Sequence, residues 1–173
     1  MKRIVMALFF LAITISNSEA NPFKDHPVFS RLTGKWEAEG EFNAADGTVI
    51  KITEKWSGKI DDDGAFVVTG ERLFNEEQQE FSWRFIYNVT TELFECEYTQ
   101  STMEEPIRLD TTVTNTDRKI SMRAQIGDGG AELTIVKTLS EDGKSMESEV
   151  QMAANGQVGL SGKITHKPTT EAE

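Results

Sequence analysis

Gly34-Lys35-Trp36-Glu37-Ala38-Glu39-Gly40-Glu41-Phe42 sets the pattern for the whole chain. Trp36, Ala38, Gly40 and Phe42 alternate with Glu37, Glu39 and Glu41, and successive side chains on an extended backbone point to opposite faces. The carboxylates therefore take one face into water while the apolar set turns toward an interior, which is a half-buried β-strand.

The same rhythm continues away from this stretch. Ile50, Ile52 and Trp56 share one parity, as do Phe66 and Val68, then Phe81, Trp83, Phe85 and Tyr87. Phe94, Cys96 and Tyr98 follow, then Ile107, Leu109, Thr111 and Val113, then Ile120, Met122, Ala124 and Ile126. The last groups are Leu133, Ile135 and Leu139; Met146, Val150 and Met152; and Val158, Leu160, Gly162 and Ile164. Between them lie Ala45-Asp46-Gly47, Asp62-Asp63-Gly64, Gly127-Asp128-Gly129-Gly130, Glu141-Asp142-Gly143 and Asn155-Gly156, residues that tolerate positive φ in tight hairpins. Short hairpins make neighbouring strands antiparallel, and no stretch of helical period is long enough for a crossover. The pattern predicts an all-β fold, an antiparallel up-and-down β-barrel of about ten strands, because closure removes the edges of such a sheet. A two-sheet sandwich is the alternative.

The ends of the chain read differently. Lys2 and Arg3 precede an apolar run from Ile4 to Ile15, and Ser18-Glu19-Ala20 follows; a basic tip, a short apolar segment and small residues at a cleavage point make a secretory signal peptide, residues 1–20. The expectation is an exported protein, periplasmic or extracellular, with no membrane span. Residues 21–35 form a helical or irregular lead-in bearing Phe23, Val28, Phe29 and Leu32, the barrel domain covers 36–167, and 168–173 is a flexible polar tail. Loss of Lys2, Arg3 and Glu19 leaves 16 basic and 28 acidic side chains, a net charge near −12. Such a surface repels phosphate backbones and argues against nucleic acid, while favouring a soluble monomer. Cys96 is the single cysteine, so no intrachain disulfide supports the fold and a packed core must.

Leu32-Thr33-Gly34-Lys35-Trp36 resembles the G-x-W motif that opens the first strand of the lipocalin and fatty-acid-binding superfamily. That resemblance implies a lipocalin-like, calycin-type barrel with Gly34 turning the lead-in and Trp36 closing one barrel end. The longer string through Gly40, with Tyr87-Asn88 ending a later aromatic strand, is similar to exported bacterial barrel domains of uncharacterised function. The chain is also similar to the haem-binding nitrobindin barrels, whose first strand reads Trp-x-Gly-x-Gly and whose iron is held by a histidine on a late strand. Here Ala38 stands where those carry glycine. The resemblance makes haem the one cofactor to test.

Several residues could carry a site. His166 follows Ile164 on the apolar parity and points toward the lumen near its rim, where it is either a haem ligand or a rim histidine at a fraying strand end. His26 precedes Pro27 in the lead-in and is expected to be exposed. Glu54 lies between Ile52 and Trp56 on the inward face and needs a partner there; Arg72, on the parity of Phe66 and Val68, can supply it. Trp56, Trp83, Phe85, Tyr98 and Met122 would line a pocket or fill a core. Asp61-Asp62-Asp63-Gly64 lacks the spacing of a calcium loop and reads as a hairpin turn, and no metal site is expected. Cys96, if buried, is inert. No G-x-S-x-G, H-E-x-x-H, phosphate loop or dinucleotide fingerprint occurs, so an enzyme is not expected. The sequence points to a binding barrel for a small hydrophobic or amphipathic molecule, with a side-chain-filled structural or interaction module as the alternative.

Overall fold

The computed structural model describes residues 21–127 and 130–169, so the expected signal peptide, residues 128–129 and residues 170–173 of the expected tail lie outside it. Ten strands follow one another: β1 (Gly34–Ala44), β2 (Val49–Ile60), β3 (Phe66–Phe74), β4 (Glu77–Asn88), β5 (Leu93–Gln100), β6 (Ile107–Thr114), β7 (Lys119–Ile126), β8 (Ala131–Leu139), β9 (Met146–Ala154) and β10 (Gln157–Pro168). Each pairs antiparallel with its neighbours in sequence, and β1 pairs with β10 to close the barrel. The sandwich alternative is excluded. Alternation decides this outcome: in β2 the buried residues are Ile52, Glu54, Trp56 and Gly58, with exposed or half-exposed residues between them, so a slip by one residue would reverse every side chain.

The predicted hairpins carry positive φ at Gly47, Gly64, Gly127, Gly130, Gly143 and the Asn155-Gly156 pair. One turn without a glycine signal is Asn75-Glu76, at φ 50° and 69°, where asparagine tolerates the left-handed region better than most residues. In β10 the parity expectation fails at Val158. The register with β9 shifts between Val158 and Leu160, and Val158 is exposed; the bulge adds one residue and turns its side chain outward.

One end of the barrel is stoppered by the lead-in. Phe29–Leu32 forms a 3-10 turn, and Phe23, Val28, Phe29 and Leu32 are all buried. The Phe29 ring lies 5.2–5.4 Å from those of Phe66, Phe85 and Phe94. Gly58 lets the plug seat, because a Cβ there would strike the Leu32 carbonyl and the Phe66 ring. The plug is also tied at its edges, by Asn21 Nδ2 donating to the Gly64 carbonyl at 3.0 Å and by Arg31 donating to that of Glu141 at 2.8 Å. His26, expected to be exposed, is half-buried: its Nδ1 accepts the Val28 amide at 3.2 Å and its ring packs on Phe29 and Phe94. The plug folds inward and carries it along.

The opposite end is looser. Ile50, Phe74, Ile107, Leu133 and Leu160 face inward there but are only half-buried. The loop after β5, residues 101–106, brings Met103 against the core.

Candidate functional site

Between the plug and the looser mouth, the parity of five strands brings polar side chains into the barrel. Glu54 on β2 and Arg72 on β3 are directly cross-strand, and Arg72 Nη2 lies 3.1 Å from the Glu54 carboxylate, with side chains 14% and 6% exposed. The expected partnership is present. The Arg72 guanidinium also lies 4.4 Å above the Phe81 ring and 5.6 Å from the Tyr98 ring, a stacking that suits a planar, weakly hydrated cation. Its Nε is buried and has no hydrogen-bond partner among the described residues.

His166 is not a rim residue. It is 1% exposed and lies beneath the plug, in register with Ala38 and Met146. Trp56 Nε1 donates to its Nδ1 at 3.1 Å, and its Nε2 is 2.8 Å from Ser148 Oγ. An indole N–H can only donate, so Nδ1 is the acceptor and the proton resides on Nε2, which donates to Ser148. Burial above all, with the nearby Arg72 cation acting in the same direction, drives the imidazole pKa from 6.5 down to about 2. His166 is a neutral, doubly bonded member of the interior.

Lys137 and Ser148 complete the layer, and sequence reading missed both. Lys137 stands between Ile135 and Leu139 on the inward face of β8, its Nζ 3.2 Å from Ser148 Oγ and 5.4 Å from the Trp83 ring centre. The residue is half-buried overall, but its terminal nitrogen is desolvated enough to lower its pKa, against the pull of Glu54 and with the push of Arg72. Parity was the available signal.

The remaining candidates also point inward. Trp36 stacks on Trp56 with ring centres 5.2 Å apart and planes 2° from parallel, so Trp36 closes the barrel end together with the plug. Trp83 packs on Tyr98 at 4.2 Å, Phe85 reaches the plug, and Met122 is fully buried. Tyr98 donates to Gln100 Oε1 at 2.6 Å, and burial raises its phenol pKa. Cys96 is 1% exposed and its thiol is pushed up to about 12 by burial, which makes it unreactive in the folded state. Asp61 caps the amides of Asp63 and Ala65 and pairs with Arg84, the structure of a turn. Among the described residues, no group of three His, Cys, Asp or Glu side chains is placed to hold a metal ion.

These side chains leave an enclosed space of about 20 Å³ lined by Leu32, Glu54, Trp56, Trp83, Lys137 and His166, among others. That suffices for one water-sized group, whereas pockets for ligands run to about 300–1,000 Å³. Haem does not fit at His166 as arranged: both ring nitrogens are engaged and no room is left for a porphyrin. A wider open depression, about 650 Å³, lies on the outer wall of β1–β3 and β10, among outward residues such as Glu37, Glu39, Lys55 and Glu71. Most of its lining is solvated strand face, with Ala38, Glu54 and Arg72 also bordering it.

The fold is a closed ten-stranded antiparallel barrel with one end plugged and a polar layer in the lumen, a lipocalin-like architecture. Among solved structures it is similar to the S-type phycobiliprotein lyase CPES from Guillardia theta, at a TM-score of 0.58 and 10% identity over 83% of this chain and 92% of that one. Rv2717c from M. tuberculosis matches at 0.52 and 14% identity, over 82% and 94%. A protein of unknown function of the DUF3598 family from Nostoc punctiforme matches at 0.52 and 9%, over 81% of this chain and 48% of that one. No family model matches the sequence, and no curated protein matches it. At these identities the likeness is one of fold.

Proposed function

We propose that this chain is an exported lipocalin-like binding protein whose barrel holds a small apolar or amphipathic molecule. The observation that carries the reading is the polar layer itself. Arg72, Glu54, Lys137, Ser148 and His166 meet inside a lumen otherwise walled by Trp56, Phe81, Trp83 and Tyr98, and convergent polar groups in an apolar cavity are the usual means of orienting a ligand. The ligand enters by the half-buried mouth opposite the plug, and seating more than a water-sized group requires mouth side chains such as Phe74 and Met103 to move. Export rests on the sequence of residues 1–20.

Native mass spectrometry of the protein purified from its own host tests the proposal, together with displacement of a fluorescent fatty-acid analogue. Co-purified small molecule or displacement supports it; a bare mass with no uptake of the analogue overturns it. The small enclosed volume favours a second reading, a side-chain-filled barrel acting as a structural or interaction module, and the bare-mass outcome supports that one instead.

A further inference from the structure

The polar layer has a direction. Trp56 donates to His166 Nδ1, so His166 Nε2–H donates to Ser148 Oγ, and the Ser148 hydroxyl has one hydrogen left to place. Its other neighbour within hydrogen-bond reach is Lys137 Nζ at 3.2 Å. An ammonium has no lone pair; against one, the Ser148 hydrogen would have no acceptor among the described residues, and the buried side chain is 1% exposed. Against an uncharged amine the chain runs head to tail, from the Trp56 N–H through His166 and Ser148 to the Lys137 lone pair. Charge points the same way. Glu54 is matched by Arg72 at 3.1 Å, so an ammonium at Lys137 would leave the lumen with one positive charge too many, whereas an amine leaves it neutral. Burial alone is the leading cause keeping His166 uncharged, so an uncharged Lys137 does not disturb its neighbour.

A free amine facing an enclosed space in an aromatic lumen is a nucleophile. Resting on the binding-barrel reading, we infer that Lys137 takes the carbonyl group of an aldehyde carried on an apolar or amphipathic chain and holds it as an imine. The Nζ lone pair forms the C–N bond as the carbonyl π bond opens onto oxygen, one nitrogen proton passes through Ser148 Oγ to that alkoxide to give a carbinolamine, and the second nitrogen proton follows by the same route to the hydroxyl. The C–O bond then breaks, water leaves and the C=N bond forms, with no change of oxidation state. The space of about 20 Å³ beside Lys137 accommodates a group of the size of the reacting carbonyl, and the rest of the chain extends toward the mouth. The charged and titratable groups around the nitrogen are Glu54 on β2, Arg72 on β3, Cys96 on β5 and His166 on β10.

The test is reductive trapping of the folded full-length mature chain with octanal and sodium cyanoborohydride near neutral pH, read by intact mass and peptide mapping. Each unit by which a lysine pKa falls raises its free-amine fraction about tenfold at that pH, so Lys137 is expected to label at least about tenfold faster than Lys55, whose side chain is 82% exposed. Selectivity disappears in urea. Labelling at Lys137 no faster than at Lys55, or a Lys137 side-chain NMR signal that titrates with the surface lysines, overturns the inference. Uptake of the fluorescent fatty-acid analogue without a Lys137 adduct overturns the covalent step alone and leaves the binding reading standing; failure of both overturns both.

Discussion

Acid should weaken this barrel through His166 before its carboxylates titrate. In the unfolded chain the imidazole takes a proton near pH 6.5, whereas in the folded barrel burial holds that step down at about 2. The group is depressed on folding, so its contribution is complete above pH 6.5 and is lost as pH falls from 6.5 toward 2, because the unfolded state binds the proton first. Each pH unit in that window removes about 1.4 kcal/mol, and the drop from neutrality to about pH 5 removes about 2 kcal/mol. The perturbation is His166→Gln, whose amide can accept from Trp56 and donate to Ser148 without titrating. Urea unfolding followed by the fluorescence of Trp36, Trp56 and Trp83, all buried, measures stability at several pH values. The variant is less stable at neutral pH, yet its stability falls more shallowly by about one proton's worth, and the comparison cancels His26, whose pKa is also lowered by burial. Parallel lines for the two proteins would refute the reasoning, since His166 would then take its proton in the folded state at an ordinary pH.

Arg72→Met leaves the Glu54 carboxylate buried without its partner and is expected to cost about 3–5 kcal/mol by urea unfolding, whereas the double change Glu54→Leu with Arg72→Met recovers most of that loss. Gly70→Ala should destabilise by about 1–3 kcal/mol or prevent folding, because its Cβ would strike the Lys55 carbonyl and Trp56, backbone and core that cannot swing aside; an unchanged urea midpoint would contradict that packing. Cys96 should resist Ellman's reagent in the native protein and react fully in denaturant, its thiol being 1% exposed and pushed up to about 12.

The barrel was legible because a period of two survives in nearly every strand. Glu37, Glu39 and Glu41 mark the wet face of β1 as clearly as Trp36 and Phe42 mark the dry one. The Glu54–Arg72 pair was legible for the same reason, since adjacent strands with opposite charges at inward positions have few other places to put them. Lys137 escaped because a lysine between Ile135 and Leu139 reads as a break in an apolar series, although β8 keeps its parity through it. Ser148 is similar, small and polar between Met146 and Val150. The Trp56–His166 bond joins residues 110 apart, and only the closure of β1 on β10 and β2 fixes that register. Val158 was misread because a bulge is one extra residue that no alternation announces.

The order of layers along the barrel axis constrains any ligand. The plug seals the end nearest His166 with Phe23, Phe29 and Leu32, so the polar layer is reached only from the mouth, past Ile50, Phe74, Ile107 and Leu133. A molecule with one polar end would therefore travel head first, its apolar part coming to rest among the half-buried mouth residues and its head at Lys137 and Arg72. The reverse orientation would leave the buried Arg72 Nε–H without an acceptor and set the ligand's polar end against apolar walls, losing the desolvation free energy of both. The mouth residues are only half-buried in the free protein, so the surface that must open has less packing to give up than the fully buried core.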